Sequence, residues 1–264
     1  MAKVNQPSIE CAATSMNKVS QTVRDLARAV TPPILWALVR NLCRPGLSSS
    51  LPSYQGVVTQ HNMRWLHEGR FAEIYDRHRH LNPFNAPNET RLRQYIACMF
   101  AAFAKGVPGD FLSAGISYGV APRVIYDFVE FEHLGKMYHL IDPFLGINNP
   151  GVTISPYNTD CEFVRSQYSS DAPIKIHREL IPDCFPLDGL DALAFVHLNV
   201  TYPPAESASL AYIYEKLSPG GFILIDYYSY GQGQFAVYDP AIEKIGAVVF
   251  SLVTGQGVIQ RPLR

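Results

Sequence analysis

The chain has 264 residues, of which 47% are hydrophobic and 17% are charged, so it is long and apolar enough to fold as one large domain or as a domain with a cap. Its formal net charge of −1 shows no general excess of Lys and Arg, and we therefore expect no nucleic-acid partner. The five cysteines are scattered and form no Cys-x-x-Cys pair, which favours reduced thiols over disulfides or a zinc site.

Residues 1–53 are predicted to form an N-terminal arm with two helices, over 18–30 and 32–42. One apolar face of the second helix is formed by Ile34, Leu35, Leu38 and Leu42. No signal peptide and no apolar run of about 20 residues is apparent, so we expect a cytoplasmic protein, with membrane-peripheral attachment left open. Three roles fit residues 32–44: contact with a membrane surface, packing on the domain, and contact with a second copy of the chain in a homo-oligomer.

Residues 54–107 are predicted to form a helical cap, with helices over 65–75 and 89–105. A basic tetrad, Arg77–His80, follows the first helix. Such a tetrad is either a site for the phosphates of a substrate or, more commonly, a solvated helix end.

From residue 108 to residue 264, predicted strands alternate with predicted helices. The strands are 111–116, 136–141, 174–178, 193–200, 222–227, 248–252 and 257–260, and the helices are 122–131, 161–169, 206–217 and 235–245. Alternation of this kind predicts an α/β fold with a mostly parallel sheet covered on both faces. The last two strands are separated only by residues 253–256, which is too short for a parallel crossover, so they must form an antiparallel hairpin.

Five segments resemble the TylF/MycF-like (macrocin O-methyltransferase-type) family of class I S-adenosylmethionine-dependent methyltransferases, in the family's order and spacing. They are residues 109–119, 138–146, 197–201, 216–228 and 254–257. The resemblance implies a Rossmann-like seven-stranded sheet ending in the hairpin, with S-adenosylmethionine as cofactor. It also implies methyl transfer to a small hydroxylated or sugar-like acceptor, in glycan or secondary-metabolite biosynthesis.

The chain departs from that family at three acidic positions. It has Ser113 where the family has an acid in the first strand, Asn199 where the family has Asp, and Asp226-Tyr227 where the family has Asp-Asp. In characterised members the latter acids bind a divalent metal that holds the substrate's hydroxyls. A hard cation prefers several anionic oxygens, so we predict that no divalent metal binds here.

Two other functions stay open, the first because of these missing acids and the second because it uses the same kind of sheet. The first is a non-catalytic methyltransferase-like protein that acts as a partner or scaffold. The second is a dinucleotide-dependent oxidoreductase, whose Gly-x-Gly-x-x-Gly fingerprint the sequence lacks.

The residues that the resemblance relates to cofactor binding follow the first three strands. Gly115, Ile116 and Gly119 lie on the loop that brings the backbone close to the methionine part of the cofactor. Asp142 is expected to accept hydrogen bonds from the ribose hydroxyls, although an Asp before a proline also commonly forms a turn. Asp183 lies where the adenine is expected.

The candidate catalytic residues follow the fourth and fifth strands. His197 and Asn199 alternate along one strand and so point to one face. His197 is either a general base or a histidine satisfied in the core. Asn199 and Asp226 are placed to orient an acceptor hydroxyl or amine, and Tyr227, with the tyrosines that follow it, either lines a substrate pocket or packs beneath the cap.

Overall fold

The computed structural model describes residues 53–54, 57–59, 61–82, 90–144, 160–229 and 234–263, all within one compact unit that runs from Ser53 to Arg264. The predicted helices over 18–30 and 32–42 lie outside the described residues. In the described ranges no helix is long and apolar enough to cross a membrane. The cysteines in these ranges, Cys98, Cys161 and Cys184, are free and buried.

The core of the unit is a seven-stranded sheet. Its strands are β1 (Asp110–Ala114), β2 (Tyr138–Ile141), β3 (Ile174–His177), β4 (Leu193–Leu198), β5 (Leu217–Ile225), β6 (Val249–Ser251) and β7 (Gly257–Gln260). They lie in the order β3-β2-β1-β4-β5-β7-β6. The first five are parallel, and β7 pairs antiparallel with both β5 and β6. The predicted parallel sheet with a terminal antiparallel hairpin is therefore confirmed. Outside it, Ser53–Tyr54 pairs with Val57–Val58.

Seven α-helices are described around the sheet. They are α1 (Arg64–His67), α2 (Arg70–His78), α3 (Arg91–Phe103), α4 (Val120–Val129), α5 (Cys161–Arg165), α6 (Pro203–Lys216) and α7 (Phe235–Lys244). Single 3-10 turns follow α2 and α4, at Arg79–Leu81 and Phe131–His133.

Two predicted boundaries are wrong for identifiable physical reasons, and the helix predicted over 161–169 also ends earlier, at Arg165. The single helix predicted over 65–75 is divided into α1 and α2 at Gly69, whose φ of +80° ends a helical turn. The strand predicted from residue 222 begins earlier, at Leu217, which pairs with Leu193. The strand includes Pro219, Gly220 and Gly221, and its pairing with β4 shifts register between Leu193 and Phe195. Residue 221 can lie this close to β4 because it is glycine: an added β-carbon would be 2.9 Å from the Ala194 carbonyl oxygen.

Side chains that alternate along the strands divide the core into two layers. On the first face Phe111, Phe195 and Leu224 belong to one apolar cluster with residues of α2, α3 and α4. On the second face Leu112, Val196 and Ile223 join residues of α6 and α7. The buried polar residues Ser113, His197 and Asp226 follow the first-face residues by two positions, so they lie on the α3 side of the sheet near its carboxyl edge.

Candidate functional site at the carboxyl edge of the sheet

The strands after β1 are added first on one side of it (β2 and β3) and then on the other side (β4 and β5). A crevice forms at such a switch point, which here lies between β1 and β4. Gly115 follows β1 with φ +77°, and its amide donates to the Ile141 carbonyl at 2.9 Å. On the other side, the Asn199 amide donates to the Ala114 carbonyl at 2.9 Å. A β-carbon on Gly115 would lie 2.4 Å from the Asn199 carbonyl oxygen. The exits of β1 and β4 therefore touch through backbone alone.

The loop after β1 is held by Asp142 at the end of β2. Its carboxylate accepts from the Ser117 amide at 2.9 Å and from the Phe144 amide at 2.9 Å, and also from the amide of Ile116. Burial raises the pKa of Asp142, although these amide hydrogen bonds oppose the rise. Asp142 thus does form the turn that its position before Pro143 indicates. An ionised carboxylate has about four acceptor positions, so with three amides bound it retains about one for a ligand hydroxyl.

The loop also delivers the N-terminus of α4 to this edge. Gly119 precedes the helix with φ +80°, and its amide donates to the Ile116 carbonyl at 2.8 Å. The first-turn amides of Val120 and Ala121 have no acceptor within the part of the chain that the structure describes, as at most helix N-termini. The Ile116 side chain is buried in the core, so only its backbone faces the loop.

The exits of β4 and β5 carry a buried polar cluster. His197 Nε2 lies 3.1 Å from Asp226 Oδ1, which also accepts from Gln256 Nε2 at 2.7 Å. Arg93 reaches from α3: its Nη2 donates to the Asp226 carbonyl oxygen and lies 3.6 Å from Oδ2 of the same residue. His197 is 2% exposed and Asp226 is 9% exposed, so the cluster is shielded from water.

The charges within this cluster set the ionisation of Asp226. Burial alone would raise the pKa of Asp226. The electrostatic interactions with His197 and with the Arg93 guanidinium, together with the hydrogen bond from Gln256, outweigh burial and lower that pKa to about 2. Asp226 is therefore a carboxylate at neutral pH, and its charge is balanced by the protein itself.

A second buried carboxyl group, Glu206 in the first turn of α6, lies close to this cluster. Its Oε1 accepts from the Val200 amide at 2.6 Å, and its Oε2 accepts from the Tyr238 hydroxyl. Burial raises the pKa of Glu206 to about 8, with a smaller contribution from the negative charge of Asp226 and with the two hydrogen bonds opposing it. Glu206 fixes the backbone directly after Asn199.

The remaining predicted site residues are placed as follows. The Asn199 side chain is half-buried at the mouth of the crevice and forms no hydrogen bond with another described residue. The half-buried Tyr227 ring lies 4.6 Å from the Arg93 guanidinium carbon. Tyr228 turns to the opposite face, where its hydroxyl donates to Asp239 at 2.7 Å, and Tyr230 lies outside the described residues. Tyr227 and Tyr228 therefore do not share one pocket wall.

Asp183, the predicted adenine contact, is exposed in the segment after β3. Phe185, two residues later, stacks on Tyr212 of α6 with ring centroids 4.6 Å apart. This aromatic ring therefore packs against α6.

The basic tetrad lies away from this edge, at the end of α2, and it is largely paired within the protein. His78 contacts Asp127 at 2.7 Å, Arg77 approaches the same carboxylate at 3.8 Å, and Arg79 contacts Asp76 at 3.0 Å. The interpretation of the tetrad as a solvated, internally paired helix end fits these contacts better than a phosphate site.

The residues that the resemblance relates to a metal do not fit one. Both oxygens of Asp226 face groups of the protein, and the remaining oxygen donor nearby is the neutral carboxamide of Asn199. Hard cations take several oxygens, preferably charged ones. Across the described ranges, no three His, Cys, Asp or Glu side chains are grouped so that they could hold a metal ion.

Three residues that carry this site are absent from the sequence prediction: Arg93, Glu206 and Gln256. Gln256 lies within the segment 254–257 that marks the resemblance, and this was a usable signal. Arg93 and Glu206 lie in helices whose local patterns show no reason to single them out.

The fold is similar to those of solved structures, among them an O-methyltransferase and a proposed O-methyltransferase. The O-methyltransferase NovP has a TM-score of 0.56 and 18% identity over 67% of this chain and 82% of its own. A protein from Corynebacterium glutamicum has a TM-score of 0.51 and 15% identity over 86% and 98% of the two chains. A proposed O-methyltransferase from Klebsiella pneumoniae also has 0.51, with 10% identity over 76% and 94%. No family model and no curated protein sequence matches the chain. The chain thus has the Rossmann-like fold of class I methyltransferases.

Proposed function

We propose that the protein transfers a methyl group from S-adenosylmethionine to a small hydroxylated or sugar-like acceptor, in glycan or secondary-metabolite biosynthesis. The observation that carries the proposal is the joining of Asp142 to the loop after β1 through the Ser117 amide, at the switch point of a methyltransferase-like sheet. This arrangement brings a carboxylate, loop amides and a helix N-terminus to one edge of the sheet.

The residues on the β1 and β2 side fit the cofactor. Asp142 keeps about one acceptor position for a ribose hydroxyl. The free amides of Val120 and Ala121 suit a carboxylate such as that of the methionine part. Ser117 Oγ is buried and unpartnered, and a ligand polar group at this loop would satisfy it. When bound, S-adenosylmethionine supplies an electrophilic methyl group.

The residues on the β4 and β5 side suit the acceptor. The free carboxamide of Asn199 can both donate to and accept from a hydroxyl, and the Tyr227 ring offers a flat surface for a sugar or ring. Holding an acceptor oxygen about 3 Å from the methyl carbon, in line with the leaving sulfur, supplies much of the rate.

A hydroxyl acceptor must also lose its proton. In this proposal His197 Nδ1 accepts the proton of the acceptor hydroxyl, because Nε2 of the same ring faces the Asp226 carboxylate at 3.1 Å. The carboxylate stabilises the charged imidazole and fixes its orientation, as an acid beside a catalytic histidine does.

Titration calorimetry with S-adenosylmethionine and with S-adenosylhomocysteine tests the cofactor assignment directly. Saturable binding of both with micromolar affinity supports it. If neither ligand releases or absorbs heat, with or without Mg²⁺, the catalytic proposal is wrong.

A second candidate is the non-catalytic methyltransferase-like protein that acts as a partner or scaffold. The observation that favours it is the engagement of Asp226 within the protein: its Oδ1 accepts from Gln256 and lies 3.1 Å from His197, and its Oδ2 lies 3.6 Å from Arg93. It predicts no affinity for S-adenosylmethionine, together with a stable assembly detectable by light scattering. The same calorimetric titration separates the two functions.

A further inference from the structure

We propose that the guanidinium of Arg93 takes the place of a cation at Asp226, so that ligand binding and methyl transfer at this edge need no divalent metal. The part of the inference that concerns methyl transfer rests on the proposed function. The part that concerns the cation rests on the geometry of the buried cluster alone.

The Arg93 side chain is built into the site. Arg93 is 4% exposed, and its Nη2 donates to the Asp226 carbonyl oxygen and lies 3.6 Å from the carboxylate Oδ2. The guanidinium carbon lies 4.6 Å from the Tyr227 ring centroid, so the consecutive residues Asp226 and Tyr227 both contact the Arg93 guanidinium. The Gln256 side chain fixes both partners, because its Nε2 donates to Asp226 Oδ1 at 2.7 Å and to the Arg93 carbonyl at 3.3 Å.

A metal ion at Asp226 would have to displace this arrangement. A buried guanidinium that loses its carboxylate is left as an uncompensated charge, which strongly destabilises the fold. The Asn199 carboxamide is the further oxygen donor nearby, and a neutral oxygen with one contested carboxylate cannot offset that cost. The Arg93 guanidinium therefore excludes a divalent metal ion from Asp226.

A matched arginine allows the role of Arg93 to be separated from ordinary packing. Arg91 lies on the same helix and is also 4% exposed, pairs with Asp76 at 2.5 Å, and places its guanidinium carbon 4.6 Å from the Tyr75 ring. Its Nη1 also donates to the Leu66 carbonyl oxygen at 3.2 Å. Arg91 thus contacts a carboxylate, a backbone carbonyl and an aromatic ring as Arg93 does, but away from the strand exits, so its loss reports the structural cost alone.

The experiment uses the full chain and Mn²⁺ as the probe, with free Mn²⁺ measured by electron paramagnetic resonance. For the wild type we expect no bound Mn²⁺ at millimolar concentration, and the same melting temperature in Mg²⁺ and in EDTA. A Mn²⁺ site in the wild type that D226N removes would overturn the proposal.

The variants test whether the guanidinium itself is responsible. R93M leaves the buried Asp226 carboxylate without its cation, so we expect the melting temperature of R93M to fall and to recover when D226N is added, whereas D226N should not restore R91M. A folded R93M that D226N does not stabilise contradicts the proposal. If R93M does not fold, the R93M/D226N double variant still decides it: recovery of folding supports the proposal, and failure to fold contradicts it.

S-adenosylmethionine titrations in EDTA and in Mg²⁺ separate the two proposals. Equal affinities in both conditions support the metal-independent site, and affinity that appears only with Mg²⁺ overturns it. An absence of binding in both conditions refutes the proposed function, while the Mn²⁺ measurements continue to test the role of Arg93.

Discussion

The carbonyl oxygen of Asn199 lies where a side chain on Gly115 would begin: an added β-carbon would be 2.4 Å away. The exits of β1 and β4 can approach this closely only because residue 115 is glycine, which also adopts its φ of +77° without strain. The crevice at the switch point therefore depends on one missing side chain.

Gly115→Ala should deform this edge of the sheet. The substitution combines a backbone clash with a left-handed φ, so we expect the free energy of unfolding to fall by about 2–4 kcal/mol and S-adenosylmethionine binding to be lost. Urea denaturation and calorimetry measure the two effects. Gly106→Ala is the control, because no atom lies within 4 Å of its added β-carbon. A G115A protein with wild-type stability would contradict the described contact.

Asp142→Asn should weaken the loop and the ligand together. A carboxamide has one acceptor oxygen, so either the Ser117 amide or the Phe144 amide loses its partner, which costs about 1–3 kcal/mol. We expect the S-adenosylmethionine Kd to rise at least about tenfold, because the ribose hydroxyls lose a charged acceptor.

The matched control for this change is Asp160→Asn. Asp160 also caps a backbone amide, that of Glu162 at 3.0 Å, but through one oxygen at the start of α5. Asn caps helices as well as Asp does, so D160N should change stability by less than about 0.5 kcal/mol. Equal Kd values for D142N and wild type would remove Asp142 from the cofactor site.

Much of the fold could be predicted because its determinants are local. The alternation of strands and helices specifies a parallel sheet, and the few residues between the last two strands permit only a hairpin. The cluster at Asp226 could not be predicted in this way. Arg91 and Arg93 flank a single leucine and look equivalent in sequence, yet one pairs with Asp76 and the other with Asp226. Tertiary packing of α3 alone distinguishes them.

The two tyrosines after Asp226 show a second limit of sequence patterns. Strict alternation would place Tyr228 on the same face as Asp226 and Tyr227 on the opposite face. The strand ends at Ile225, however, and the turn that follows reverses this order, so that Tyr227 meets Arg93 and Tyr228 packs beside Tyr238. An error of one residue in the end of a predicted strand is therefore enough to assign Tyr228 to the site and Tyr227 to the core, the opposite of what the structure shows.

Glu206 should make the protein less stable as the pH rises. The pKa of Glu206 is about 8 in the folded protein, compared with an ordinary value of 4.5, so the folded state binds this proton more tightly than the unfolded state does. The stabilisation is complete below about pH 4.5 and is lost progressively between about pH 4.5 and pH 8. Over this range the free energy of unfolding falls by at most about 1.4 kcal/mol per pH unit.

Glu206→Gln removes this proton, so the free energy of unfolding of E206Q relative to wild type should increase with pH. Urea denaturation at several pH values measures the difference. Glu215→Gln, an exposed position on the same helix, should give a difference that does not change with pH. A constant difference between E206Q and wild type would show that Glu206 is ionised throughout.

Asp226→Asn should have the opposite pH dependence. The pKa of Asp226 is lowered from 3.8 to about 2, so its ionised form stabilises the fold above about pH 3.8, and the stabilisation is lost as the pH falls towards 2. From the size of the shift we expect D226N to be less stable by at least about 2 kcal/mol at neutral pH, because Arg93 is also left unpaired.

The gap between D226N and wild type should therefore narrow between about pH 4 and pH 2, where the wild type itself becomes protonated. Thermal unfolding followed by circular dichroism across this range measures the gap. Asp188→Asn serves as the control, since Asp188 is exposed and should leave the acid limb of the wild-type curve unchanged. If the D226N and wild-type curves stay parallel down to pH 2, Asp226 is not held ionised by Arg93 and His197, and the balance of charge within the buried cluster is not as the structure indicates.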